Sequence, residues 1–237
     1  MKRNVLFLLL YCLWLATPAY AQTSCADFQL LRENASYEML TYDGKDRQTG
    51  RVVYNVQDVK RTGGKAEADV HSEVYDQKGR LASEGDFTIG CNDGTIWMDM
   101  RSLMSPDIMG AYKDMEMTMT GDKMLYPNKL TVGQTLQDGT MTMEMKDRAN
   151  GQNMMTMVMK VMDRKVEGKE SIQVPAGSYN SYKIRQNTEV ENRAMGMKMP
   201  GARIETVEYY VPEIGTVRSE TYRNGKLQSY TVLSKIK

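Results

Sequence analysis

The sequence predicts a mainly-β fold: a single antiparallel meander forming a strongly curved sheet or half-open barrel, with one or two short helices. Three observations carry that expectation. Apolar and polar residues alternate through most of the chain, with β-branched and aromatic residues at many of the apolar positions. Turn dipeptides containing glycine punctuate the alternation at short intervals. Only one internal segment carries helix-boundary signals, so the apolar face of the strands has to be hidden by curling or by a second sheet.

The N-terminus is read first. Lys2 and Arg3 precede an apolar run from Val5 to Leu15 that is too short to span a bilayer, and Ala19-Tyr20-Ala21 fits the small-x-small cleavage rule. Residues 1–21 therefore read as a secretory signal peptide cut before Gln22, leaving 22–237 as one β-rich domain in the periplasm or outside the cell. Gln22-Thr23-Ser24 is too polar for a lipobox ahead of Cys25, which argues against a lipid anchor.

Strands are then expected at Tyr37 to Tyr42, Arg51 to Lys60, Glu67 to Tyr75, Leu81 to Cys91 and Thr95 to Met100, separated by Asp43-Gly44, Gly63-Gly64, Lys78-Gly79 and Asp93-Gly94. Ser105-Pro106-Asp107 supplies an N-cap, a proline at the first helical position and an acid in the first turn, so a short helix should run to about Asp114. Further strands follow at Met115 to Thr120, Thr140 to Lys146, Met154 to Val166, Ser178 to Val190, Arg203 to Val211, Thr216 to Arg223 and Lys226 to Ile236. Asn150-Gly151 and Asn224-Gly225 are the clearest turns.

The balance of charge excludes some partners. The chain has 31 basic and 30 acidic side chains, and loss of Lys2 and Arg3 moves the net charge from +1 to about −1. That argues against nucleic acid or an anionic membrane surface. No later run is long enough for a membrane helix, and the mature chain is expected to act as a monomer. Of the three cysteines, Cys12 leaves with the signal peptide, so Cys25 and Cys91 remain as an even pair in an oxidising compartment. A disulfide between them would stabilise by about 4 kcal/mol in the loop-entropy picture.

Catalytic signatures are nearly absent. His71 is the single histidine and lies in an alternating run, Ala-Asp-Val-His-Ser-Glu-Val-Tyr, on the face opposite Val70 and Val74. It reads as a solvent-facing strand residue. No G-x-S-x-G, P-loop or H-E-x-x-H pattern occurs, so a non-enzymatic protein with no cofactor and no histidine- or carboxylate-based metal site is expected.

Two segments have more individual character: Val174-Pro-Ala-Gly-Ser-Tyr179 followed by Tyr182-Lys-Ile184, and Tyr209-Tyr-Val-Pro-Glu-Ile-Gly-Thr-Val-Arg218. Together with Tyr75-Asp76-x-x-Gly79, Cys91-x-Asp93-Gly94 and Val132-Gly133-x-Thr135-Leu136, they resemble the TapB-like family of exported bacterial proteins, a branch of the domain-of-unknown-function 3108 group. The resemblance implies an exported, single-domain, β-rich protein and supplies no catalytic residues. A more distant likeness to open half-barrels that carry lipids or lipoproteins is one of fold only.

The methionines, 21 in 237 residues, are the unusual feature. Met115-Glu-Met-Thr-Met119, Met141-Thr-Met-Glu-Met145 and Met155-Thr-Met-Val-Met159 repeat with period two, so each triplet projects from one face of a strand. The other face carries Glu116, Thr118, Thr142, Glu144, Lys146, Thr156 and Lys160, broken only by Val158. A three-residue loop, Ala149-Asn150-Gly151, should pair Met145 with Met155, Met143 with Met157 and Met141 with Met159. A two-residue turn at Gly121-Asp122 should set Met119 opposite Met124 and Met117 opposite Tyr126. The inward face so formed is an ordinary core, a pocket for a lipid, acyl chain or other hydrophobic small molecule, or a copper(I) site, since thioethers are soft and adaptable. The ligand-lining candidates are Met117, Met119, Met124, Met141, Met143, Met145, Met155, Met157 and Met159.

Overall fold

The computed structural model describes Cys25, residues 28–103 and residues 115–237. Residues 1–21, read above as a signal peptide, and the helix expected from Ser105 to Asp114 lie outside the described residues. Among the described residues thirteen strands form one antiparallel sheet: β1 (Ser36–Asp43), β2 (Gln48–Thr62), β3 (Lys65–Asp76), β4 (Leu81–Asn92), β5 (Thr95–Asp99), β6 (Glu116–Gly121), β7 (Lys123–Tyr126), β8 (Gly139–Lys146), β9 (Asn153–Val174), β10 (Gly177–Ala194), β11 (Met197–Val211), β12 (Gly215–Arg223) and β13 (Lys226–Ile236). Short 3-10 turns occupy Gln29–Leu31 and Met100–Leu103. No helix among the described residues is long and apolar enough to cross a membrane.

In space the order is β6-β8-β9-β10-β11-β12-β13-β1-β2-β3-β4-β5-β7. The sheet curls into a nearly closed barrel whose interior holds one cluster of buried apolar side chains. Two meanders, β1 to β5 and β8 to β13, meet where β1 pairs with β13. The strand assignments follow the alternation, but β7 was not among the expected strands, β10 reaches Ala194 instead of Val190, β11 starts at Met197 instead of Arg203, and the β9–β10 hairpin is extended at its other end. β9 was expected to end at Val166 and β10 to begin at Ser178, but pairing continues through Lys169 with Tyr182 and Ile172 with Tyr179 as far as Val174 with Gly177. The first of the extra residues, Glu167 to Glu170, are charged or glycine, which interrupts the apolar period before Ile172 and Val174. Their ladder bonds and outer-face contacts such as Lys183 Nζ to Glu170 Oε1, 3.2 Å, hold the extension.

The methionine hairpin has the expected register by a different turn. Its loop has four residues: the Asp147 N–H donates to the Gln152 carbonyl at 2.9 Å and the Gly151 N–H to the Asp147 carbonyl at 2.8 Å. Gly151 is left-handed (φ 70°), which glycine adopts without steric cost. A one-residue irregularity beside Met145 then restores Met145 opposite Met155, Met143 opposite Met157 and Met141 opposite Met159. On the outside, Glu144 and Lys146 approach to 3.7 Å.

The expected hairpin at Gly121-Asp122 is not formed. β6 lies beside β8, with Met117 opposite Met145 and Met119 opposite Met143, whereas β7 lies beside β5, with Met124 opposite Met98 and Tyr126 opposite Ile96. Asp122 alone separates the two strands, so the chain steps across the seam of the barrel from one edge of the sheet to the other. Backbone proximity explains why. A Cβ on Gly121 would sit 2.9 Å from the Met141 Cα, and the Asp122 N–H and carboxylate both bond to Thr140, at 2.9 and 2.8 Å, fixing the step against β8.

Cys25 and Cys91 form a disulfide with Cα atoms 5.6 Å apart. It ties the N-terminal segment to β4, and Phe28 and Leu31 of that segment are buried. The Gln29 N–H donates to the Glu213 carbonyl at 2.8 Å, which docks the segment on the β11–β12 turn.

Candidate functional site

The nine sequence-selected methionines divide by place. Met141, Met143, Met145, Met157 and Met159 line the inner face of β8 and β9 and are buried, with Met143 and Met145 at 0% exposure. Met117, Met119 and Met155 are half-buried against the same core. Met124 is buried on β7, across the seam from the others. Eight of the nine are thus brought together as a thioether wall, three strands wide.

A cavity of about 220 Å³ lies elsewhere in the barrel, and none of those nine methionines lines it. Its walls come from the inner faces of β1 to β5 and of β11 to β13, with Met39, Val52, Tyr54, Val70, Phe87 and Ile89 on the first side. Leu30 and Ile214 line it as well, so the docked N-terminal segment and the β11–β12 turn contribute to its boundary. The cavity opens partly to solvent, and its volume exceeds the single-water gaps that ordinary side-chain packing leaves. The walls are stiff: Tyr54 and Phe87 meet edge to face at 5.8 Å and Tyr126 stacks on Tyr210 at 4.8 Å.

Two polar side chains in the lining stand out. Tyr37 is 3% exposed and its hydroxyl has no hydrogen-bond partner. Burial pushes its phenol above the ordinary tyrosine range, opposed by the nearby Arg32 charge. Glu208 is buried on β11, where its Oε2 accepts from the Tyr126 hydroxyl at 3.0 Å and its Oε1 from the Gln186 amide at 2.9 Å. Burial raises the Glu208 carboxyl above the ordinary glutamate value, while the Arg164 charge and the two donated bonds pull it back.

Arg164 completes this network from β9. Its Nε–H donates to Gln186 Oε1 at 3.0 Å, and its Nη1 donates to the carbonyls of Leu125 and Gln137 at 3.2 and 2.7 Å. Its guanidinium lies 4.8 Å from the Tyr126 ring centre, and its Nη2 is buried without a partner. A bulge puts it there. Met157, Met159 and Val161 point inward, and strict alternation would bring in Asp163 next. Asp163 is instead left-handed (φ 57°) and the register with β10 slips between Arg185 and Asn187, so Asp163 is exposed while Arg164 and Val166 are buried. One guanidinium thereby fastens the edge strand β7 to the opposite wall across the seam.

Sequence reasoning passed over Arg164, Gln186 and Tyr37. Glu208 was not singled out either, although it directly precedes the Tyr209 to Arg218 motif and alternation puts it on one face with Tyr210. His71 is partly exposed, with Nδ1 2.7 Å from Asp86 Oδ1, and that contact raises its pKa. His71 does not line the cavity, and no cluster of three or more His, Cys, Asp or Glu side chains suited to a metal occurs among the described residues. Met195, Met197 and Met199, by contrast, are 62, 67 and 43% exposed at the tip of the β10–β11 hairpin.

A family model for DUF3108-like proteins matches residues 32–233. No curated protein matches the chain. Among solved structures, a Bacteroides fragilis protein described as a candidate exported protein with a YmcC-like fold is similar with a TM-score of 0.66 and 26% identity, over 87% of this chain and 96% of that one. A candidate lipoprotein from Parabacteroides distasonis shares the fold with a TM-score of 0.71 and 24% identity, over 89% of this chain and 98% of that one. The family match runs from the residues before β1 into β13, across the whole sheet that encloses the cavity, and the chain belongs to the DUF3108-like family.

Proposed function

We propose that this protein is a non-enzymatic binding protein of the bacterial envelope that holds a small apolar molecule inside its barrel, with the thioether wall acting as packing and the tyrosine-lined cavity as the site. Export is supported by the sequence of residues 1–21 and by the description of the Bacteroides fragilis relative as a candidate exported protein. The observation that carries the reading is the cavity of about 220 Å³, apolar over most of its wall, with a buried hydroxyl that nothing inside the protein satisfies. An apolar void of about 150 Å³ is already enough to take up benzene. Drug-sized ligands need about 300 Å³ or more, so the occupant is small or enters only in part.

The reading is tested with protein purified from its own envelope. Native mass spectrometry should show a retained small molecule, and the emptied protein should take up a displaceable apolar fluorophore such as 1-aminoanthracene. Met39→Trp, which fills the void, should abolish uptake while leaving the far-ultraviolet circular dichroism unchanged. No retained molecule together with no displaceable dye, or dye uptake unchanged in Met39→Trp, would refute it.

Copper(I) binding is favoured by a separate observation: Met195, Met197 and Met199 are exposed together, and thioethers select soft monovalent metals. Silver(I), a redox-inert substitute, should then add in one-to-one stoichiometry by native mass spectrometry and be lost in Met197→Leu/Met199→Leu. Equal uptake by that variant would end this reading.

A further inference from the structure

We infer that the cavity is built for an apolar molecule carrying one neutral hydroxyl group, and that it selects such an alcohol over the acid or the amine of the same chain length. This rests on the cavity being the ligand site. The first argument is the lining itself. It contains one acid, Glu208, and no Lys, Arg or His; the nearest cations, Arg32 by Tyr37 and Arg164 by Glu208, stand behind the lining, and Arg164 is already engaged by Gln186 and two carbonyls, so a carboxylate head would enter beside a second carboxyl with no cation of the lining to receive it.

The second argument is what the lining offers instead. Its remaining polar side chains are all hydroxyls: the phenols of Tyr37, Tyr54 and Tyr126 and the aliphatic hydroxyls of serine and threonine, among them Ser219 and Thr231. Tyr37 is the one whose need is unmet, because its buried O–H neither donates nor accepts. An alcohol oxygen does both with a single atom and can satisfy Tyr37 while donating to a hydroxyl or to a spare lone pair of Glu208.

The third argument disfavours a cationic head. Both Glu208 oxygens already accept bonds, from Tyr126 and Gln186, and the Arg164 guanidinium is joined to the carboxyl through Gln186. The negative charge that would attract an ammonium group is therefore already answered from within, and a second cation would be buried close to the first.

The test uses 1-octanol, octanoate and octylamine as competitors for the bound fluorophore at pH 7.5. Octanol should displace it at least about tenfold more effectively than either charged analogue, the size of one satisfied hydrogen bond. Tyr37→Phe, which removes only the hydroxyl, should lose about tenfold in octanol affinity relative to that variant's own affinity for the fluorophore. Glu208→Gln keeps an amide able to serve both of its partners and should weaken the rejection of octanoate. Octanoate or octylamine binding as tightly as octanol, or unchanged octanol binding in Tyr37→Phe, would overturn the inference while leaving the cavity reading intact. Absence of fluorophore uptake by wild type would overturn both.

Discussion

The thioether wall of β6, β8 and β9 and the aromatic wall of β1 to β5 are both inward faces of one sheet, yet the first, with its β8 methionines buried, lines no part of the cavity and the second borders it. Side-chain mechanics explains the difference. Methionine is unbranched, with three rotatable bonds, so its thioether follows whatever space is left and fills it. Tyrosine, phenylalanine and valine keep their shape, so rings from facing strands that do not interlock leave a gap of fixed outline. An adaptable wall closes holes, whereas a stiff wall keeps one open, and a preformed site requires the second kind.

The largest expected effect lies where the two walls are tied together. Arg164→Met should cost about 3–5 kcal/mol in urea unfolding, because Glu208 is left buried without a compensating charge. Combining it with Glu208→Gln should recover most of that loss. If the double variant is no better than the single, the guanidinium serves mainly through the carbonyls of Leu125 and Gln137 and not through the carboxyl.

Truncation should separate the walls next. Met143→Ala, at a residue with 0% exposure, should cost about 2–4 kcal/mol, while Met39→Ala, which already faces the void, should cost less than about 2. Equal costs would remove the distinction between packed and open walls. Enlargement should go further and reverse the sign: Val161→Leu beside the packed methionines should destabilise by about 1–3 kcal/mol. Val52→Leu, which grows into the cavity, should be neutral or stabilise by about 0.5 kcal/mol. Chemical denaturation of the four variants under one set of conditions checks all of these.

The smallest effect is one of pH. Glu208 holds its proton more tightly in the folded chain than in the unfolded one, so its contribution favours the fold at low pH. That contribution is withdrawn as the pH rises from the ordinary value of 4.5 through the raised folded value. Asp43, Glu38 and Asp76 have lowered values and act in the opposite sense, so the measurement is the difference between wild type and Glu208→Gln across acid to neutral pH. The stability gained by the substitution should grow as the pH rises. A flat difference would place the Glu208 carboxyl in contact with water.

How much of this could be read in advance depended on how local the cause was. Period-two alternation is local, and it located the strands and the inward methionines. The register of the Asn150-Gly151 hairpin was also legible, because only one pairing kept Glu144 and Lys146 outside, even though the loop reached it with one more residue and a compensating bulge. The step at Asp122 was not legible. Gly121-Asp122 is good turn chemistry, and only the distant strands β5 and β8 decide that the chain crosses a seam there instead of folding back. Arg164 was hidden for a related reason: it is turned inward by a bulge at Asp163, and a one-residue slip of that kind inverts every alternation argument beyond it. The cavity was the least legible part, since it is space left over between walls and no residue type encodes it directly.

The pairing of β1 with β13 bears on when the molecule can form. Ser234 donates its hydroxyl to the Glu38 carbonyl across 196 positions of chain, so the middle of the sheet is made from the first and last of the thirteen strands to be synthesised. Loops of that length must close before any of their contacts are rewarded, which makes assembly slow. Until β13 arrives, β1 and β12 each present a raw edge able to recruit another chain. Maturation of this barrel is therefore a late, whole-chain event, and a nascent copy lacking its last strand is a substrate for chaperones and proteases of the compartment in which it folds.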